Sequence, residues 1–161
     1  MRRKKAIIVG FVSAALLLGG AAFGLDALDK AYPPPLEAAQ QRSFEVLDRD
    51  GRLLRAFATV DGRWRLKTSA AEVDPQFLRM LIAYEDQRFY EHHGIDPFAL
   101  SRSVWQLASN GRIVSGASTL SMQVARLIEP RTDRSFSAKF LQGLRALQIE
   151  RRLNKAEILD L

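Results

Sequence analysis

The sequence contains no cysteine. That excludes a disulfide framework and any thiolate metal site, and leaves the compartment to be read from other features. Histidine is nearly as scarce. The two present, His92 and His93, are adjacent, so they lack the i, i+4 spacing with which a helix offers two imidazoles to one zinc ion. No Gly-Lys-Ser/Thr phosphate loop occurs, which removes the nucleotide hydrolases that depend on one. There is no internal repeat or low-complexity tract beyond the run Pro33-Pro34-Pro35. Acid is in deficit, with 18 Asp and Glu against 24 Lys and Arg, but the excess is local. Arg2, Arg3, Lys4 and Lys5 supply four of the formal +6, so the overall charge makes no case for a nucleic-acid partner. The 161 residues, 47% hydrophobic, suffice for one domain with a real core.

The basic opening is followed by Ala6 to Leu25, twenty residues without a charge. A helix of about 20 residues crosses a hydrocarbon core of ~30 Å. Cations before the run, with Asp26 and Asp29 after it, place the N-terminus inside. Residues 1–5 therefore read as a cytoplasmic basic segment, 6–25 as a single-pass transmembrane signal anchor and 26–43 as a linker stiffened by its prolines. A cleaved signal peptide is the alternative, with an apolar region of about 7–15 residues; this run is longer.

Phe44–Leu47 and Leu53–Phe57 flank Asp48-Arg49-Asp50-Gly51-Arg52, a hairpin signal, and Asp61-Gly62 repeats it before Arg63–Leu66. Residues 44–66 are expected to form a small β-element beside a helical body. Asp74-Pro75 and Asp96-Pro97 are helix starts, and Gly111 closes the second helix. Leu78, Leu81, Ile82 and Glu85 fall at i, i+3, i+4, i+7, so Glu85 continues an apolar stripe, where a partly desolvated carboxylate would be the stronger base. Leu100, Val104, Leu107 and Ala108 form the expected core face of the next helix, with Arg102 and Gln106 off it.

Between these helices, residues 85–96 crowd Glu85, Asp86, Arg88, Glu91, His92 and His93 with two aromatics and a glycine. Such density at a helix junction suits a catalytic site, although taken alone it reads first as a solvated helix end, since charge clusters are usually solvated faces. The small-residue loop Val114–Thr119 then feeds a helix with Leu120, Val124, Leu127 and Ile128 as its stripe and Thr119, Gln123 and Arg126 on another face, a candidate anion site. A helix over 137–152 is expected to turn Phe140, Leu141, Leu144 and Leu147 inward, and Asn154-x-x-Glu157 opens another with a capping box. Between Arg126 and Lys155 eight cations face three acids, which points to a polyanion or an anionic membrane surface.

Three motifs can be taken together. They are Glu85-Asp86-x-x-Phe89-x-x-His92-x-Gly94-x-Asp96, Gly116-Ala117-Ser118-Thr119-x-x-x-Gln123-x-x-Arg126, and Arg134-Ser135-Phe136 through Lys139 to Glu150, Lys155 and Glu157-Ile158-Leu159. In this order, behind an N-terminal anchor, they resemble the peptidoglycan glycosyltransferase domain of class A penicillin-binding proteins over residues 40–161. The resemblance implies a mostly α, lysozyme-like fold, here C-terminally incomplete and without its transpeptidase domain; no Ser-x-x-Lys acylation motif is present. It implies polymerisation of lipid II into β-1,4 glycan strands with release of undecaprenyl pyrophosphate, outside the inner membrane and facing the periplasm, beside other cell-wall synthesis proteins. Glu85 would be the base. Arg102, Ser118, Thr119, Gln123, Arg126, Arg134, Lys139 and Gln142 would line the donor and pyrophosphate side, with Asp86, Phe89, His92, Gly94 and Gly116 supporting the motifs. Two departures stand out: Arg126 replaces the family's usual lysine, and Gln142 replaces its usual second glutamate, as in one branch of the family. No dedicated metal cage is visible, while a divalent cation such as Mg2+ could neutralise the leaving pyrophosphate. The other functions in view are an anchored scaffold that binds lipid II or partners without turnover, and a lysozyme-like lytic enzyme.

Overall fold

The computed structural model describes residues 2–112, 116–131, 133 and 135–161, and for 2–12, 14, 15, 17 and 18 the backbone only. It divides into two units, 1–34 and 35–161, between Pro34 and Pro35.

The first unit is one helix, α1 (Arg2–Ala31). It runs past the expected boundary at Leu25, because Asp26 and Lys30 pair one turn apart at 2.8 Å and Tyr32 N–H still donates to Leu28. Its first three turns hold the basic segment and the start of the apolar run. Among the described residues no helix is long and apolar enough to cross a membrane.

The second unit is mostly helical with a two-stranded sheet. It begins earlier than residue 44, since a 3-10 turn over Leu36–Gln40 buries Ala39 in the core. Strands β1 (Phe44–Leu47) and β2 (Leu53–Phe57) pair antiparallel, Phe44 opposite Phe57, with an irregularity between Val46 and Leu47. The turn is closed by the Asp48 carboxylate, which accepts from the N–H groups of Asp50 and Arg52, and by Gly51 at φ 78°. The Asp61-Gly62 signal does give a turn, with Thr59 N–H on Arg63 O, but no third strand follows. Residues 63–66 return only far enough for Arg65 to exchange hydrogen bonds with Ser43. The sheet's apolar side chains, Phe44, Leu54 and Phe57 among them, stay exposed, as does Trp64 beyond it.

Five helices follow: α2 (Pro75–Glu85), α3 (Pro97–Asn110), α4 (Leu120–Ile128), α5 (Phe136–Glu150) and α6 (Lys155–Leu159). Their starts follow local chemistry. Asp74 accepts from Gln76 N–H, Asp96 from Phe98 and Ala99 N–H, Thr119 from Met122 N–H, and Ser135 from Ala138 N–H, while Asn154 and Glu157 form the capping box. Gly111 ends α3 in the left-handed region.

The core gathers Ala39, Phe89, Leu120, Ala125, Ile128, Ile149 and Ile158, with α4 packed along α5. Two expected faces are corrected. On α5 the buried residues are Ala138, Gly143, Ala146, Gln148 and Ile149, whereas Phe140 and Leu141 are exposed. Small side chains win the inward face because they let helices approach closely. Gly143 already lies under Ile95, and an added Cβ would stand 3.2 Å from that side chain. On α3, Leu100, Val104, Leu107 and Ala108 are all exposed, because no described element covers them.

Candidate functional site

Glu85 is the last residue of α2. It is exposed, not desolvated as its place on the stripe suggests, since the buried positions pass instead to Asp86 and Phe89 in the following turn. Its carboxylate is nonetheless held: Gln123 Nε2, from α4, donates to Oε2 at 2.7 Å. Together with Ser118, Met122, Gln123, Arg126, Lys139 and Gln142 it lines a cleft of about 390 Å³. The elements meet there because α4 packs on α5, bringing two cations and two amides to face the end of α2.

The cationic wall is organised around Lys139. Its Nζ donates to Ser118 Oγ at 2.9 Å and to Gln142 Oε1 at 3.3 Å. Desolvation against the cleft wall, and then the charge of Arg126, hold its pKa below the ordinary 10.5. Because Ser118 Oγ accepts from the ammonium, its own proton is free for an incoming oxygen. One face of the cleft thus offers a general base and the other offers cations and a hydroxyl donor suited to a phosphate.

Behind the cleft a buried polar set fixes the motif. The Asp86 carboxylate accepts from His92 Nε2 at 3.0 Å and from Leu120 N–H at 2.9 Å, and so ties the end of α2 to the start of α4. Thr119 is buried and donates to Gly94 O at 2.6 Å. Its hydroxyl is therefore spent inside the fold and it does not line the cleft. Gly94 has φ 88°, and a Cβ there would lie 2.8 Å from the backbone of Ala146 and Leu147. Phe89 is fully buried, with Lys155 Nζ 4.4 Å from its ring centre. Arg88 pairs with Asp96 and covers the Phe98 ring at 4.2 Å.

The cleft thus unites Glu85, Ser118, Gln123, Arg126, Lys139 and Gln142 as the sequence suggests. Gly116 is exposed in the loop, and Arg102 is exposed on α3 outside the lining. Val114, Ser115 and Arg134 lie outside the described residues. Met122 is the lining residue that sequence reasoning passes over, since an apolar side chain beside an apolar stripe carries no chemical signal. Among the described residues no group of three His, Cys, Asp or Glu converges as a metal site. A single carboxylate opposite two cations does not fit a resident Mg2+.

In this mostly helical fold, one carboxylate facing a cationic wall is an arrangement that suits group transfer with an anionic leaving group. Residues 50–161 match the model of the transglycosylase family. The chain is 42% identical over 98% of its length to penicillin-binding protein 1C of Escherichia coli, of which it covers 20%. It is 38% identical over 80% of its length to penicillin-binding protein 1A of Pseudomonas aeruginosa, covering 16% of it, and 33% identical over 78% to penicillin-binding protein 1A of Haemophilus influenzae, covering 14%. The chain belongs to the transglycosylase family. It spans a fifth or less of the length of these relatives.

Proposed function

We propose that the cleft carries out peptidoglycan glycosyl transfer, the polymerisation of lipid II, within a lysozyme-like domain. The observation that carries this is the Glu85 carboxylate, fixed by Gln123 and set across one cleft from Arg126 and Lys139. The acceptor's 4-hydroxyl attacks the anomeric carbon of the growing chain's terminal sugar. Its proton goes to Glu85, the bond to the lipid pyrophosphate breaks, and a β-1,4 bond forms with inversion. Arg126 and Lys139 neutralise the departing pyrophosphate, and Ser118 donates to it. Arg126 keeps the charge of the lysine usual in the family and can grip two oxygens at once. Any Mg2+ would have to arrive with the pyrophosphate, since the cleft adds one carboxylate only. Residues 6–25 act as a single-pass anchor in the inner membrane, with the cleft on the periplasmic side near the lipid substrate and other cell-wall synthesis proteins; no nucleic acid takes part.

One observation favours a second reading. Glu85 is open to water and Gln142 supplies no second carboxylate, as would suit a scaffold that binds lipid II without turnover. A lytic role is less well served, because inverting hydrolysis uses two carboxylates about 6.5–9.5 Å apart. The test is polymerisation of labelled lipid II by the detergent-reconstituted protein, with products sized on a gel and Glu85→Gln beside it. Polymer from the parent and none from the variant is expected. Precursor bound by both and polymer from neither would overturn the catalytic reading in favour of the scaffold.

A further inference from the structure

The buried set behind the cleft does not end at His92. As a carboxylate, Asp86 only accepts, so His92 Nε2 carries a proton and the ring's other nitrogen faces away. That atom, Nδ1, is buried without a hydrogen-bond partner among the described residues and lies 4.0 Å from Glu150 Oε1. Glu150 is the last residue of α5, and its side chain is 3% exposed, like those of His92 and Asp86. Its charge is answered by Lys155 of α6 at 2.7 Å and by the Ser121 hydroxyl of α4.

We propose that Glu150 is a positioning residue for Glu85, acting through His92 and Asp86. The inference rests on the glycosyl-transfer reading of the cleft. Asp86 follows Glu85 in the chain and also holds the first N–H of α4, the helix that presents Gln123. Both partners of the 2.7 Å Glu85–Gln123 hydrogen bond therefore hang from Asp86, whose direction is set by the imidazole. Behind that ring stands the Glu150 carboxylate, paired with Lys155, and with so little water present the charge nearer Nδ1 is weakly screened. A structural ion pair between Glu150 and Lys155 would be complete without His92. The unpaired nitrogen turned toward Glu150 ties the pair to the site.

The experiment compares Glu150→Gln, His92→Gln and the double variant in lipid II polymerisation, with Glu85→Gln as the control for the cleft itself. Glutamine at 150 keeps the shape and the contacts to Ser121 and Lys155 but removes the charge. At 92 it keeps a donor for Asp86 but cannot reach Glu150. Each single variant is expected to lose kcat by roughly 10- to 100-fold with KM almost unchanged, as for a displaced base. The double variant is expected to lose no more than the worse single one, because one chain of contacts is cut in two places. Wild-type kcat in Glu150→Gln, or losses that multiply in the double variant, overturn the inference while Glu85→Gln remains inactive. Parent protein that forms no polymer overturns the reading of the cleft, and this inference with it. If Glu150→Gln does not fold, Glu150→Asp carries the same test: it keeps the pair with Lys155 but draws the oxygen back from Nδ1.

Discussion

At the scale of single residues, two glycines show how backbone and space separate. Gly51 and Gly94 both have positive φ, at 78° and 88°. A Cβ at Gly51 would meet nothing, whereas at Gly94 it would press on the Ala146 and Leu147 backbone at 2.8 Å. Gly51→Ala is expected to cost about 1–2 kcal/mol, the penalty of left-handed backbone. Gly94→Ala is expected to cost roughly 2–5 kcal/mol, because overpacking against immovable backbone is added. Equal costs in chemical denaturation would refute this account of Gly94. Lys139 supports a prediction in pH. Its folded pKa lies below the 10.5 of the free side chain, so in the interval between them the unfolded chain holds the extra proton and stability rises with pH. Binding runs the other way: the ammonium that would grip a pyrophosphate is lost as pH rises through the lowered value. Affinity for inorganic pyrophosphate is therefore expected to fall at a pH below 10.5 in the parent and to stay flat there in Lys139→Arg, since guanidinium keeps its charge. Titration calorimetry across the alkaline range decides it, and an identical decline in both proteins would remove Lys139 from the anion site.

At the scale of elements, the helix starts hold most of what was legible in the sequence. Asp74, Asp96 and Asn154 each cap the helix that follows, because a cap is settled within three residues; Thr119 caps α4 too, where the sequence pattern puts it on a face with Gln123 and Arg126. Thr119 does more than its local pattern implies, since its hydroxyl accepts from Met122 N–H and also donates to Gly94 O. Thr119→Ala is expected to cost about 2–3 kcal/mol, a cap together with a buried carbonyl left unpaired. Thr119→Ser, which loses only a methyl, is expected to cost about 1 kcal/mol or less. Similar melting temperatures for the two would show that the hydroxyl contributes little. What could not be read was which face of a helix meets another. The periodicity on α5 selects Phe140 and Leu141, while packing against α4 selects Ala138 and Ala146. Apolar spacing reports that a face exists, and only the neighbouring helix decides how closely it can be approached. Glu85 departs from its pattern for the same reason and is exposed. Its spacing extends the stripe of Leu78, Leu81 and Ile82, yet the chain leaves the helix at Asp86 before the stripe is covered. The cleft itself was largely legible, because Glu85, Gln123, Arg126 and Lys139 carry charge or amide chemistry that is visible without a fold.

At the scale of the whole molecule, charge and apolar surface are divided between two units that meet at the prolines. Four cations precede the apolar run of the first unit. The second unit has its own core and its own exposed apolar side chains, including Phe98, Val104 and Trp105 on α3 and Phe136 and Phe140 on α5. Its formal charge is +3, from 19 Lys and Arg against 16 Asp and Glu, and its cationic excess lies between Arg126 and Lys155. The proposed anchor and the basic cluster would hold the chain to a membrane in two different ways, and salt separates them. Insertion of an apolar helix transfers hydrocarbon out of water and is indifferent to ionic strength. Attraction of a basic cluster to anionic lipid decays over about 10 Å at 0.1 M salt and less at higher concentrations. The whole chain is therefore expected to sediment with anionic vesicles in low and high salt alike. A variant in which Leu16, Leu17 and Leu18 are replaced by lysine is expected to sediment in low salt and to be released in high salt, while its cleft still binds pyrophosphate. Retention of that variant in high salt would move the attachment from α1 to the exposed apolar faces of the second unit.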